Sequence, residues 1–339
     1  MDWDHEIDLS VRKLSARLII ERALVRGWNV CGFKSNSSVL ILYPEGRQSK
    51  GIKIFSASPP QISFAASKVA KDKYITNCIL SSEGIPVPNE LLVRLNNPDN
   101  EEISAFINEY ETVVVKPLDA SHGNGITVGV NSSDKLRESL EKAKNASKSK
   151  LGIIQQQVEG IDIRILCIDY AFVSSITRTP ASVIGDGFHS IRQLIELENQ
   201  KDYRGENYSA RLNVISIRDA EEYLGNDKIN SVPLEGELVR VMGVSNVGKG
   251  GEALNITDKI PQFLKTYAEK IALSLDLPVC GVDFMVKQLP DADAKEAELN
   301  PYVIEANGCP MLTMYSDPYS AEQLKIIDAY LDLVGKAVK

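Results

Sequence analysis

Charged and amide side chains occur at several points inside apolar, strand-like runs that would ordinarily exclude them. The β-branched stretch 111–117 ends on Lys116 and is stopped by Pro117; a polar loop rich in small residues, 119–125, starts two residues later. A strand–loop–strand of this kind lets backbone N–H groups close around phosphate oxygens, and Lys116 would add a point charge there. A lysine capping an exposed strand end is the plainer alternative. The run 161–168 alternates, so Asp162 and Arg164 share one face and Ile163, Ile165 and Cys167 the other. A polar cleft and a solvated strand face both fit that pattern. Asp283 and Glu305 each sit in an apolar strand, where a carboxylate is costly unless paired or metal-bound. Glu305 and Asn307 share a face at period two. These donors are all oxygens, which suits Mg²⁺ rather than zinc, although two unrelated strand-end acids would read the same way.

The elements that must position these groups follow from periodicity and breakers. A helix is expected over 9–27, ended by Gly27, then strands at 28–33, 38–43 and 51–56. A helix over about 66–82 is terminated by Gly84 and the prolines 86 and 88. Another lies near 101–109. The strand ending on Lys116 and a strand at 126–130 come next, then a helix capped by Ser132 or Ser133 that runs to about Ala146. Residues 145–150 form a polar hinge. Strands dominate 151–187, a helix covers 191–199, 201–231 is polar and irregular, and 234–257 reads as strands around a glycine cluster. A helix at 261–275, strands at 279–288 and 300–306 around the acidic insertion 290–298, and a helix at 319–336 complete the chain. No strict βαβ cadence is present, so the class is α+β, in layers. The expected units are a small α/β segment at 1–65, then 66–148 and 149–339.

Composition bounds the function. The 339 residues are 43% hydrophobic and 25% charged, a globular balance. Lys+Arg 38 against Asp+Glu 46 gives a net charge of -8, hence no bulk attraction to nucleic acid or an anionic membrane. No stretch approaches the ~18 apolar residues of a membrane span, and the acidic N-terminus lacks a signal-peptide core. Five widely spaced cysteines form no CxxC pair, which points to a reduced, cytoplasmic protein without disulfides or a zinc site. A homodimer is left open.

Two motifs mislead. Residues 243–249 match GxxxxGK, but Gly250 stands where a P-loop needs Ser or Thr, and no clear helix opens afterwards. The loop ending at Gly125 leads into a strand, not the helix of a dinucleotide fold.

Taken in order, Lys73, Lys116, the 121–125 loop, the stretch from Gln155 to Arg164, the GVDFM around Asp283 and the IEAN ending at Asn307 resemble the ATP-grasp ligases. The stretches around Arg178 to Gly187 and Ser245 to Gly251 resemble cyanophycin synthetases, and the N-terminal segment is more weakly similar to bifunctional glutathione synthetases. The resemblance covers roughly residues 66–335. It implies the ATP-grasp fold, two subdomains gripping ATP. It also implies a ligase that joins a carboxylate to an amine through an acylphosphate, on amino acids or short peptides, with ATP and Mg²⁺, two ions being expected.

By matched position, Lys73 and Lys116 contact phosphates, and Ser121, His122, Gly123 and Gly125 belong to the loop that closes over them. Gln155, Gln157 and Val158 line the adenine site, and Asp162 holds the ribose. Asp283, Glu305 and Asn307 hold the metal. Arg164 and Arg178 steady the transferring phosphate or a substrate carboxylate. His122 could take a proton from the incoming ammonium or merely hydrogen-bond phosphate or solvent. Two departures stand out: Gln155 replaces the family's adenine-binding acid, and the turn 308–311 lacks the usual Pro-Gly pair. They support an alternative in which the chain is a nucleotide-binding pseudoenzyme, a scaffold or regulator.

Overall fold

The computed structural model describes residues 3–4, 7–9, 12–33, 35–46, 50–98, 100–120, 124–206, 209–243 and 245–338. The first unit is an antiparallel sheet ordered β1 (Trp3–Asp4), β2 (Asn29–Phe33), β3 (Val39–Tyr43), β4 (Ile52–Phe55), with helix α1 (Leu14–Val25) between β1 and β2. Leu14, Leu18, Ile19 and Ala23 recur at helical spacing and are buried, which is the stripe an amphipathic helix turns inward.

The helix expected over 66–82 is two helices, α2 (Phe64–Val69) and α3 (Lys73–Ser82). The break has a local cause. Asp72 leaves helical geometry, and its side chain accepts from the Ile75 N–H at 3.0 Å, capping a new helix. Lys73 thereby becomes the first residue of α3. Both helices pack on the core of the large C-terminal sheet, through Ala66 and Leu80.

A second sheet follows: β5 (Glu90–Arg94), α4 (Asn100–Tyr110), β6 (Val113–Pro117), β7 (Thr127–Val130), α5 (Ser133–Ala146) and β8 (Leu151–Gln156), with strand order β5-β8-β6-β7. It has its own core of Val93, Ile103, Val113, Val115, Leu140 and Ile154. β8 comes after the 145–150 hinge but pairs antiparallel with both β5 and β6. This sheet therefore runs to Gln156, beyond the 148/149 division drawn from composition. The hinge is a turn inside the unit, returning the chain so that Ile154 can enter the shared core.

The large sheet has the order β15-β10-β9-β16-β17, from β9 (Ile161–Ile168), β10 (Ala171–Thr179), β15 (Glu252–Asn255), β16 (Val279–Val286) and β17 (Tyr302–Asn307). Alternation along β9 explains its surroundings. Ile163, Ile165 and Cys167 pack under α9 (Gln262–Ser274). On the opposite face Leu166 and Ile168 join a core shared with α1, the first sheet and α11 (Ala321–Gly335). Asp162 and Arg164 lie on that same second face, nearer the strand's start, where the apolar cover ends.

Between β10 and β15 the chain builds a small unit with its own core: β11 (Ser182–Ile184), α6 (Ile191–Asn199), β12 (Arg204–Gly205), β13 (Leu212–Asn213), α7 (Ile217–Leu224), α8 (Asn226–Ile229) and β14 (Leu238–Arg240). The region 201–231, expected to be irregular, holds α7 and α8. α7 turns Ile217, Ala220 and Leu224, at helical spacing, onto this unit's core; the stripe is short and the polar composition around it hid the helix from the sequence reading. The acidic insertion carries one helical turn, α10 (Glu296–Leu299), anchored by buried Leu299.

Candidate functional site

Register places the charged residues of the large sheet side by side. Arg164 on β9 lies opposite Asp283 on β16, Asp283 opposite Glu305 on β17, and Gly281 opposite Asn307. Arg164 grips Asp283 with two hydrogen bonds, Nε to Oδ1 at 2.5 Å and Nη2 to Oδ2 at 2.7 Å. Arg178 on β10 grips Asp162 the same way, at 2.6 Å for both bonds, and reaches Asp283 Oδ2 at 2.9 Å. Asp162, Arg178, Asp283 and Arg164 thus alternate in sign along one sheet face. Burial pushes the Asp283 carboxyl up, but the two arginines outweigh it and hold it below the ordinary carboxylate range. For Asp162 burial wins over Arg178, and its carboxyl is raised. The pattern expected for β9 holds as a face, and the face is the wall of a polar cleft rather than a solvated strand surface: Arg164 is 7% exposed.

Lys73, at the start of α3, pairs with Glu305 at 3.2 Å. Glu305 is the exception among the acids expected to be buried, with 40% of its side chain exposed. It faces a cavity of about 1100 Å³ whose wall also includes Lys73, Asp162, Arg164, Arg178, Asp283 and Asn307. Lys116 lies deeper, on the second sheet. It is 4% exposed, not the cap of an exposed strand end. Its Nζ donates to Gln155 Oε1 at 3.0 Å, and Gln155 Nε2 donates to Glu90 Oε2 at 2.8 Å. Burial pushes the Lys116 ammonium down to about 8, against the pull of Glu90.

The other expected site residues fare unevenly. Gln157 spends its backbone N–H on the Thr112 carbonyl and its side-chain carbonyl on the Gly129 N–H, so it braces β7. Val158 follows, half-buried, at the exit from β8. Gly125 has φ +76° and sits where a Cβ would lie 2.6 Å from Ala146 Cβ, so only glycine fits this turn. Ser121, His122 and Gly123 lie outside the described residues. The GxxxxGK decoy leads into the 3₁₀ turn Val247–Lys249 and then β15, and Lys249 pairs with Asp219. Sequence reading missed Glu90, which looks like an ordinary acid at a strand start. It also missed Lys13, Ser15, Ser38 and Ser56 of the N-terminal unit, which line the far wall of the cavity. Nothing in their spacing marks them.

Asp283, Glu305 and Asn307 fit a hard cation by donor type. Each already has a protein partner: two arginines on Asp283, Lys73 on Glu305 Oε1, and the Cys309 N–H on Asn307 Oδ1 at 3.0 Å. A carboxylate offers about four lone-pair sites, so Glu305 keeps most of its acceptor capacity, whereas Asp283, with three bonds from the two arginines, keeps one site on Oδ1 and gains another when Arg178 lets go. No three of His, Cys, Asp and Glu gather to hold a metal among the described residues. Asn307 adds an amide oxygen, not a third carboxylate, on the strand that carries Glu305.

Known proteins resemble the chain in sequence and in fold. Residues 62–159 match the family described as sugar-transfer associated ATP-grasp. The chain is 30% identical over 276 residues to the cyanophycin synthetase of Crocosphaera subtropica, covering 79% of itself and 31% of that protein. It is 29% identical over 329 residues to the glutathione biosynthesis bifunctional protein of Clostridium perfringens, covering 95% of itself and 41% of that protein. It therefore spans about a third of the length of the curated relatives it matches. Among solved structures, the bifunctional glutathione synthetase from Pasteurella multocida superposes with TM-score 0.67 at 23% identity, over 96% of this chain and 44% of that one. The D-alanine–D-alanine ligase from Bacillus anthracis gives 0.51 at 15%, over 81% and 71%. These likenesses and the sheets described above agree: the chain is of the α+β class and has the ATP-grasp fold.

Proposed function

We propose that this chain is an ATP-dependent, ADP-forming ligase that joins a carboxylate to an amine, on amino acids or short peptides. The observation that carries this reading is the single sheet face on which Asp162, Arg164, Arg178, Asp283, Glu305 and Asn307 converge on a cavity reached by Lys73. In the proposed reaction a substrate carboxylate oxygen bonds to the γ-phosphorus as its bond to ADP breaks. The amine nitrogen then bonds to the acyl carbon, phosphate leaves and the nitrogen sheds its proton. Lys73 and Lys116 hold phosphate oxygens, Gln155 and Val158 border the base, and Asp162 takes the ribose when Arg178 releases it. Arg178, freed in this way, meets the transferring phosphate or the substrate carboxylate, while Arg164 keeps Asp283 in place. Asp283, Glu305 and Asn307 would hold up to two Mg²⁺ ions, which neutralise phosphate charge when bound.

The same reading gives the chain three working units: the N-terminal sheet, the β5–β8 sheet, and the large sheet with its insertion. None of the five cysteines is in a disulfide, and no helix of the described residues is long and apolar enough to cross a membrane; both suit work in the cytoplasm. The test is a phosphate-release screen of amino-acid and dipeptide pairs with ATP and Mg²⁺, with mass analysis of products. Release that needs both members of a pair, with a condensed product, supports the ligase. Nucleotide binding without release for any pair favours the scaffold reading, to which the arginine-filled Asp283 lends some weight.

A further inference from the structure

We propose that Glu90, acting through the Gln155 amide, is the residue that positions Lys116 for the nucleotide phosphates, the carboxylate having moved one strand across the sheet. This rests on the nucleotide-site reading above. The register supplies the geometry: Glu90 on β5 lies directly opposite Gln155 on β8, and Gln155 lies opposite Val114 on β6, two residues before Lys116. Glu90, Gln155 and Lys116 therefore share one face of the second sheet in a continuous row. The hydrogen bonds in that row have only one consistent direction. A lysine ammonium can only donate and an ionised carboxylate can only accept, so Gln155 must turn its carbonyl to Lys116 and its NH₂ to Glu90.

Two further observations separate this row from ordinary packing. Asn77, from α3, adds a second hydrogen bond to Glu90 Oε2 at 2.7 Å, so α3 and β8 both converge on the β5 carboxylate. Glu90 Oε1 is buried without a hydrogen-bond partner among the described residues. A scaffold position rarely keeps such an orphaned acceptor, and an apolar replacement would avoid its cost. What the carboxylate provides is a counter-charge for Lys116, which otherwise faces Lys73 nearby and Glu305 as the remaining acid. The groups facing Glu90 in turn are Lys116, Asn77, Gln155 and Asp72. Burial raises the Glu90 carboxyl and lowers the Lys116 ammonium, so each charge depends on the other to survive at this depth.

The test is calorimetric titration of MgATP into the whole chain and into two variants, Glu90→Gln and Glu90→Asp, from slightly acid to alkaline pH. Glu90→Asp keeps a carboxylate on β5 and leaves Gln155 and Lys116 as they are. Glu90→Gln is expected to weaken ATP binding by about tenfold or more, the scale of a lost charged hydrogen bond. The pH above which binding fades should fall below that of the wild type. Glu90→Asp should lose less affinity and keep the pH midpoint near the wild-type value, a rescue by charge that a merely structural role would not produce. If Glu90→Gln fails to fold, Glu90→Asp decides alone: a retained pH midpoint supports the proposal, and a midpoint lowered with the affinity overturns it. Unchanged affinity and pH midpoint in a folded Glu90→Gln protein also overturns it, while leaving the nucleotide site standing. No ATP binding by the wild-type chain removes the nucleotide-site reading and the proposal together.

Discussion

At the scale of single residues, Lys116 offers the sharpest contrast. Lys116→Ala is expected to lower the rate of ATP-dependent turnover by about 10²–10³, the usual effect of removing a preorganised charge. Lys50→Ala, at an exposed position just before β4, should leave the rate alone although it removes the same charge; steady-state kinetics at saturating ATP check the pair. The sign of the pH effect is fixed by burial. The free Lys116 ammonium titrates at about 8 in the fold against an ordinary value of 10.5. ATP affinity should therefore decline as pH rises through about 8. The unfolded chain binds the extra proton between these values, so folding stability gains from this residue over the same interval. Lys116 itself was legible because a lysine inside a β-branched run is conspicuous. Glu90 was not: its importance comes from lying opposite Gln155 across two strands separated by 65 positions in the chain, and no local pattern announces that. Asp162 was legible as a member of the polar face, but its grip by Arg178 depends on which strand lies alongside.

At the scale of elements, the break between α2 and α3 sets where Lys73 stands. Asp72→Ala removes the side chain that caps α3 and should cost about 1 kcal/mol of stability. It should also raise the KM for ATP more than it changes kcat, because it loosens the first turn that carries Lys73; denaturant unfolding and kinetics together check this. Strands of the large sheet could be read from sequence because alternation and β-branched runs are strong there. The α2–α3 break could not, since the apolar spacing continues across it and a capping aspartate resembles any polar residue of a helix. The partner of β8 was missed for another reason. A hinge-like composition at 145–150 marks a turn, but only the core into which Ile154 packs decides which sheet receives the next strand.

At the scale of the whole molecule, the N-terminal sheet is tied to the rest by a shared core and by charges. Leu18 and Ile19 of α1 pack in one cluster with Leu166, Leu312 and Tyr330, and Arg22 and Arg26 both bond Asp328 on α11. Trp28 packs against the same cluster. In a Trp3→Phe variant, Trp28 fluorescence and far-ultraviolet ellipticity should lose their native values at the same denaturant concentration, as expected for one cooperative unit; separate midpoints would show the N-terminal sheet melting by itself. The pairing of charges within the site has a consequence for how a nucleotide arrives. Lys73, Lys116, Arg164 and Arg178 are matched by Glu305, Glu90, Asp283 and Asp162, on a chain whose net charge is -8. Lys13 and Arg240 also line the cavity, so its wall keeps a small positive surplus inside a negative chain, and the pull on an arriving anion is confined to the cavity mouth. Salt screens that local attraction and the wider repulsion together, so the association rate constant for ATP in stopped-flow mixing should change little with ionic strength, where a strongly steered encounter would slow steeply.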